Sequence, residues 1–357
     1  MTWLLAMCAL GLAAGFLLMF RVPLCPPATY RADSQFSIII PARNEEENIA
    51  VLLESIARGS LQPSEVIVVD DDSTDRTSEV AQRWGARVIP SEDLPRDWTG
   101  KTWACHQGAL AARSNAFIFL DADTRLEMDG LERIVAFSLE QGAENAAFSV
   151  LPYHLTQKPY EEFSLFFHLL MAMGTSGFGA LSKPCLFGQS LLISRKLYHR
   201  GGGHRVVREQ ILENFMLSSH IYAAGARCVT RGGRGALNIR MFPHGFAELC
   251  ESWSKGFADG AAATDPVVLA VSICWLAAAL LSFLLLLLSI TSAYAYPVAL
   301  YLCFVLQLIY FSRQIGSYRF VTCLLYPVPL IFYFAIFTQS VYSRLIKRTV
   351  VWRGREI

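Results

Sequence analysis

Uncharged apolar stretches bracket the chain. Residues 3–20 hold 18 consecutive positions without a charge, just enough to cross a hydrocarbon layer at about 1.5 Å per residue. Arg21 follows at once, and the next residues, VPLCPP, offer no small-residue cleavage site. The pattern predicts an uncleaved anchor over 1–21 in preference to a removed signal peptide, with the end after Arg21 facing the cytoplasm. Residues 267–292 predict a plain spanning helix, and 297–311 a shorter one that needs neighbours or a thin bilayer. Arg313 and Arg319 flank the turn after it, and the positive-inside rule puts that turn in the cytoplasm, so the pair reads as an in–out–in hairpin. A third apolar run, 321–342, precedes Arg344, Lys347, Arg348, Arg353 and Arg355. A full crossing there would carry the basic tail outside. Pro327 and Pro329 instead predict a re-entrant or in-plane element that keeps the tail inside.

Between these stretches short apolar runs alternate with helical patterns. Residues 36–40 are β-branched, are stopped by Pro41 and predict a buried strand. Asn44 suits an N-cap, with Glu45, Glu46 and Glu47 in the first turn of a following helix. Residues 66–69 form a second strand running into Asp70, Asp71, Asp72, Ser73, Thr74 and Asp75; a helix then continues to about Trp84, and 86–89 give a third strand. A helix over 102–113 leads to a strand over 116–120 and to Asp121 and Asp123. Strands alternating with helices predict an α/β fold with a mostly parallel sheet covered on both faces. Ligands bind such sheets at the carboxyl ends of strands, so the clusters 41–45, 70–75 and 121–123 share one edge.

Two segments have a different texture. Residues 163–181 are rich in Phe, Leu, Met and Gly and uncharged; Gly174, Gly177 and Gly179 argue against a span and for a lipid-facing helix lining an acceptor groove. Phe246, Leu249, Trp253 and Phe257 recur at helical spacing, predicting an in-plane interface helix. The organisation expected is therefore an anchor over 1–21, a catalytic domain over 35–242, an amphipathic interface helix over 243–262, a membrane region over 266–343 and a basic tail over 344–357.

The 357 residues carry a net charge of +1, which conceals segregation. From Arg21 to Asp265 there are 24 basic and 29 acidic side chains, and after Asp265 seven basic and one acidic. At 53% hydrophobic the chain is not disordered, and an acidic polar domain is not a nucleic-acid binder. The expected setting is the cell membrane, multi-pass, with the acidic domain in the cytoplasm. Nine cysteines without a CxxC pair or zinc spacing fit reduced thiols.

The chemistry concentrates in the carboxylates. Asp121 and Asp123, spaced around Ala122 at a strand end, offer oxygen donors suited to Mg2+ or Mn2+, which keep waters and take further ligands from phosphate. Such an ion would neutralise a diphosphate leaving group. Strand-end aspartates also cap turns, and the conjunction with the other clusters is what points to a site.

The ordered motifs IIIPARNEE (38–46), VVDDDSTD (68–75), WTGK (98–101) and DAD (121–123) resemble those of family 2 glycosyltransferases over about residues 36–260. WTGKTWACHQG (98–108), QSLLIS (189–194), GGH (202–204) and GFADGA (256–261) are similar to stretches of the family's carotenoid-acid branch. The resemblance implies an inverting enzyme with a GT-A nucleotide-sugar-binding, Rossmann-like domain and N-terminal and C-terminal transmembrane helices. It implies that Pro41, Ala42, Arg43 and Glu45 line a nucleotide and that Asp71 accepts from the uracil imide. Lys101 would lie near the diphosphate, Asp121 would meet ribose or metal, and Asp123 would ligate the metal. Trp253, with Lys255, matches the place of an interface-helix tryptophan that closes over the donor. The Gln-x-x-Arg-Trp motif of processive synthases is missing, which implies a single transfer.

The acid pair downstream departs from the family pattern. In ILENFML (211–217), Asn214 stands where the family commonly has the catalytic aspartate, and an amide takes no proton at neutral pH. Either Glu213 acts as base, or the acceptor is a carboxylic acid, ionised above a pKa of about 4–5 and needing no base. His204, in a glycine turn, is a second candidate, as base or as donor to the acceptor. The partners expected are a UDP-sugar, probed first as UDP-glucose, a lipophilic acceptor such as a carotenoid acid or other membrane lipid, and the membrane. A hydroxyl or phosphate lipid acceptor is the alternative within the chemistry, and a catalytically inactive membrane scaffold the alternative outside it.

Overall fold

The computed structural model describes all residues except 1, 29–34, 143, 176, 182, 255–256, 290–294, 343–350, 353–354 and 357. Lys255 and most of the basic tail thus lie outside the described residues. Two compact units divide the chain: Met1–Val22 with His154–Lys183 and Met241–Ile357, and Pro23–Tyr153 with Pro184–Arg240.

The second unit is built on a seven-stranded sheet. Its strands are β1 (Phe36–Ala42), β2 (Glu65–Asp70), β3 (Arg87–Pro90), β4 (Ala116–Leu120), β6 (Ala146–Leu151), β8 (Ser190–Ser194) and β9 (Arg227–Gly232); the short β5 (Thr124–Leu126), β7 (Tyr153–His154) and β10 (Leu237–Ile239) lie outside it. The order is β3-β2-β1-β4-β8-β6-β9. β1 pairs in parallel with β2 and β4, β2 with β3, and β6 with β9, whereas β8 runs antiparallel to both β4 and β6. The sheet is mixed but mostly parallel, as expected: of its seven strands β8 alone runs against the others. β8 inserts beside β4 from far along the chain, a pairing that local patterning does not encode.

Strands buried on both faces explain the continuous apolar runs. Ile38, Ile40, Val68 and Ile118 join the layer formed with helices Glu46–Arg58 and Gly130–Glu140. Ile39, Ile67, Val69, Phe117 and Phe119 point the other way, as the two-residue period requires, toward helices Gly100–Ala111 and Glu213–Ala223. Helix Gly100–Ala111 sits directly on this face. A Cβ at Gly108 would stand 2.4 Å from Ile39 Cγ2, so only glycine allows the approach.

The first unit is helical. Pro266–Ser289, of 24 residues, and Tyr296–Ile315, of 20, are long and apolar enough to cross a membrane; Thr2–Leu18, of 17, is shorter. Thr2–Leu18 packs on Pro266–Ser289 at Gly11, where an added Cβ would meet Ala278 Cβ at 2.0 Å, and at Gly15 beside Trp275. A small residue every fourth position is a close-packing signal for apolar helices, and Gly11 and Gly15 carry it in the sequence. Gln307 ties the bundle: Nε2 donates to Leu12 O at 2.7 Å, and Oε1 accepts from Trp275 Nε1 at 2.9 Å.

Three local expectations change here. Residues 163–181 give a 3-10 turn, Pro159–Ser164, and a helix, Leu165–Gly174, whose Leu165, Phe166, Phe167 and Leu169 are wholly buried, so this helix is interior and not lipid-facing. The interface helix is two helices, Phe246–Ser254 and Phe257–Ala263. In the last apolar run the chain breaks between Phe320–Leu324 and Pro327–Tyr342: the prolines start the second helix, where a missing N–H costs nothing.

Candidate active site

The carboxyl ends of β1 and β2 are stitched into one rim. Asp71 N donates to Ala42 O at 2.8 Å, carrying the strand pairing one residue past β2, and Pro41 sits in register with Val69. Arg43 reaches across, its Nη1 donating to Asp71 O at 3.0 Å and standing 3.8 Å from the carboxylates of both Asp71 and Asp72. Asn44 does not cap the next helix; Glu45 holds that position without a side-chain capping bond. Asn44 instead adopts a left-handed backbone (φ 53°), its N–H donating to Ser73 Oγ at 3.0 Å and its Oδ1 accepting from Thr74 N at 2.8 Å. Asp72 is left-handed too, at φ 60°. Two non-glycine residues in that region on facing loops concentrate backbone strain at this rim. Glu45 N donates to Thr77 Oγ1 at 2.8 Å, and Glu45 Oε2 accepts from Asn48 Nδ2 at 2.7 Å.

At the end of β4 the chemistry is ionic. Thr99 caps helix Gly100–Ala111 by accepting from Thr102 N, which sets Lys101 in the first turn. Lys101 Nζ stands 2.7 Å from Asp121 Oδ1 and 2.9 Å from Oδ2, 2.8 Å from Glu213 Oε1, and donates to Gly188 O at 3.1 Å. The ammonium therefore bridges a strand-end aspartate and the first residue of helix Glu213–Ala223. Burial alone would pull the Lys101 pKa down, but the carboxylates of Asp121 and Glu213 carry it above an ordinary lysine. Glu213 is 3% exposed, and burial raises its pKa against the pull of Lys101. Behind them burial pushes the Cys105 thiol far up, so it is inert beside this bridge.

Asn214 has a structural task that an aspartate could not perform. Its Nδ2 donates to Phe187 O at 2.9 Å and Gly188 O at 3.2 Å, fixing the turn whose Gly188 carbonyl receives Lys101. A carboxylate has no donor for either carbonyl. Gly188 and Gln189, whose carbonyl accepts from Asp121 N at 3.1 Å, belong to this site, and sequence reasoning passed over them. Gln189 opens the QSLLIS motif, which does not reach Gly188.

His204 is buried at 1% exposure. Its Nδ1 is 3.0 Å from Tyr198 Oη, its N–H donates to the same oxygen at 3.1 Å, and its ring meets Phe119 edge-on at 4.7 Å. Gly203 (φ 57°) makes the contact possible, since a Cβ there would lie 2.5 Å from the Tyr198 ring. Burial first, then Lys101 and His106, lower the His204 pKa to about 3, so the ring is neutral and a poor base. Trp253 belongs to the helical unit, 5% exposed: its indole stacks on Phe167 at 4.7 Å and donates to Ser164 Oγ at 3.1 Å.

Among the described residues no three His, Cys, Asp or Glu side chains gather closely enough to form a metal centre by themselves. The Lys101 ammonium contacts both oxygens of Asp121, two residues before Asp123. All nine cysteines are free.

The site is a strand edge with two acid-bearing loops and a lysine between carboxylates, in a fold of the α/β class, and comparison with known proteins identifies the family. The family model for glycosyl transferase family 2 matches residues 37–215, and the chain belongs to that family. It is 35% identical over 329 residues to the 4,4'-diaponeurosporenoate glycosyltransferase of Staphylococcus aureus, covering 90% of this chain and 87% of that one. Its fold is like that of a mannosyltransferase from Pyrobaculum calidifontis solved with GDP-Man and Mn2+, at a TM-score of 0.53 and 19% identity, over 87% of this chain and 97% of the other. The sheet unit thus carries the GT-A fold.

Proposed function

We propose that the chain transfers one sugar from a UDP-sugar, glucose in the first instance, to the carboxylate of a long apolar acceptor of the carotenoid-acid kind, at a membrane and with inversion. The observation that carries this reading is the task of Asn214. The position where the family commonly has its base is spent on holding a turn, which leaves a chemistry that needs no strong base at that point. A carboxylic acid arrives ionised and supplies its own nucleophilic oxygen. The 35% identity to an enzyme named for a carotenoid acid supports the acceptor class, and the two long apolar helices support the membrane.

Pro41, Ala42, Arg43, Glu45 and Asp71 form the rim offered to the nucleotide. Asp71, whose main chain is held by Arg43 and the Ala42 carbonyl, would accept from a base imide through its carboxylate. Asp121 and Asp123 would hold Mg2+ or Mn2+, with phosphate and water completing the shell; the ion supplies charge neutralisation on the diphosphate. Lys101 keeps Asp121 and Glu213 together, and His204 supports the layer behind as a positioning residue. A second reading has its own observation. Glu213 is a buried carboxyl with a raised pKa, the property of a general base, and it would suit a hydroxyl acceptor such as a hopanoid or diacylglycerol.

The test is incubation of the purified full chain in detergent with a panel of UDP-sugars and lipid extracts, with mass spectrometry of the product before and after mild alkali. An alkali-labile sugar ester is expected. An alkali-stable product abolished by Glu213→Gln establishes the hydroxyl reading, and failure to bind UDP with Mn2+ would point to an inactive scaffold.

A further inference from the structure

The sheet unit contains a second concave site with the opposite charge. Between helix Gly100–Ala111 and the turn Gly203–Val207 lies a cavity of about 440 Å³, walled in part by His106, His199, Arg205 and Arg208, with Leu110 and Val206 also on its wall. None of its lining residues is acidic. His106 and Leu110 lie about 140° and 180° around the helix from Lys101, so this is a different face from the one that bridges Asp121 and Glu213.

The cationic groups here are unevenly compensated. Arg208 is committed, its Nε 2.6 Å from Asp97 Oδ2. Arg205 is exposed and makes no ion pair among the described residues. The His106 ring is held in place by Trp98 and Trp103, with centroids at 5.0 and 5.8 Å. Burial, then the charges of Arg205 and His199, make that ring harder to protonate, as expected where positive groups face one another without an anion between them. Leu110, 64% exposed, and Val206, 42% exposed, add apolar surface to the same walls.

We propose that this cavity binds a phosphate group, with the planar donor fork of Arg205 and the ring nitrogens of His106 and His199 as its ligands. Arginine matches the paired oxygens of phosphate. A phosphate diester on a membrane lipid and free inorganic phosphate present the same chemistry to these groups. The site is independent of sugar transfer and of the carboxylates of the other face.

The test uses the purified full chain in a neutral detergent with EDTA, which removes metal-dependent phosphate binding. Inorganic phosphate is titrated in one arm, and in the other, micelles doped with phosphatidylglycerol are compared with undoped micelles of the same phosphate-free detergent. The readout is the imidazole NMR signal of His106, assigned by its loss in His106→Gln. Saturable movement is expected, weakened about tenfold or more in Arg205→Ala and partly kept in Arg205→Lys, which also reports that the site is folded. Movement with inorganic phosphate identifies a free phosphate site; movement with phosphatidylglycerol alone identifies a lipid headgroup site. No movement in either arm, or the same movement in Arg205→Ala, overturns the proposal.

Discussion

Asp71 and Asp121 follow β2 and β4, the two strands that flank β1, yet their surroundings differ in kind. Asp71 lies on a rim made of backbone bonds and short polar side chains, with Arg43 at 3.8 Å as an outlying partner. Asp121 is gripped at 2.7 Å by an ammonium that also grips a carboxylate with 3% exposure. The same residue type at the same sheet edge is thus held through its main chain in one case and by a fixed charge on its carboxylate in the other. Removing a group from the first region costs orientation; removing one from the second strands a buried charge.

The sharpest way to break this contrast is Lys101→Met. Losing the bridge between Asp121 and Glu213 is expected to abolish transfer and to destabilise the chain by on the order of 3 kcal/mol, read by denaturant unfolding. Adding Glu213→Gln to that variant should return part of the stability, because the stranded carboxylate is then gone. Asn214→Asp comes next. It exchanges a double donor for an acceptor facing two carbonyls and should cost about 1–3 kcal/mol without raising the transfer rate. A faster variant would show that the position still serves as a base.

Acidification probes the layer beneath. His204 has a folded pKa of about 3 against an ordinary value near 6.5, so the stability it contributes is present above about pH 6.5. That contribution falls by up to about 1.4 kcal/mol per pH unit as the pH drops toward 3. The buried His154 is lowered to about 4 and acts in the same direction, so the wild type must be compared with His204→Gln, whose melting temperature should fall less steeply. The smallest effect is expected at the rim: Asp71→Asn should weaken UDP binding about tenfold by titration while moving stability by no more than about 0.5 kcal/mol.

Much of this is legible in the sequence. The strands over 36–40, 66–69 and 116–120 emerge within two residues at either end, because buried β-branched runs between turn residues leave little choice. The shared edge of the three acidic clusters follows from strand–helix alternation alone. What stayed hidden depends on distance along the chain. The antiparallel β8 comes from residue 190, and the Lys101–Glu213 bridge spans more than a hundred positions. Asn214 illustrates the same limit: its identity marked a departure, but only the position of the Phe187 and Gly188 carbonyls explains why an amide is needed. His204 was misleading for the converse reason. A glycine turn suggests an open loop, and here it folds the ring inward against Tyr198.

The stitching between the first two loops has a consequence for how this enzyme can vary. Asn44 bonds to Ser73 and Thr74, Glu46 N to Asp75 Oδ2 at 3.1 Å, and Arg76 N to Glu46 Oε2 at 3.1 Å, so in each bond a main-chain N–H of one loop donates to a side-chain oxygen of the other, and the two loops take turns as donor. Neither loop can be exchanged alone without leaving its partner's groups unsatisfied. Descendants of this sequence that came to accept a different base would be expected to change residues 44–46 and 73–76 as a block, and a library that diversifies both loops jointly should recover functional variants that one-loop libraries miss.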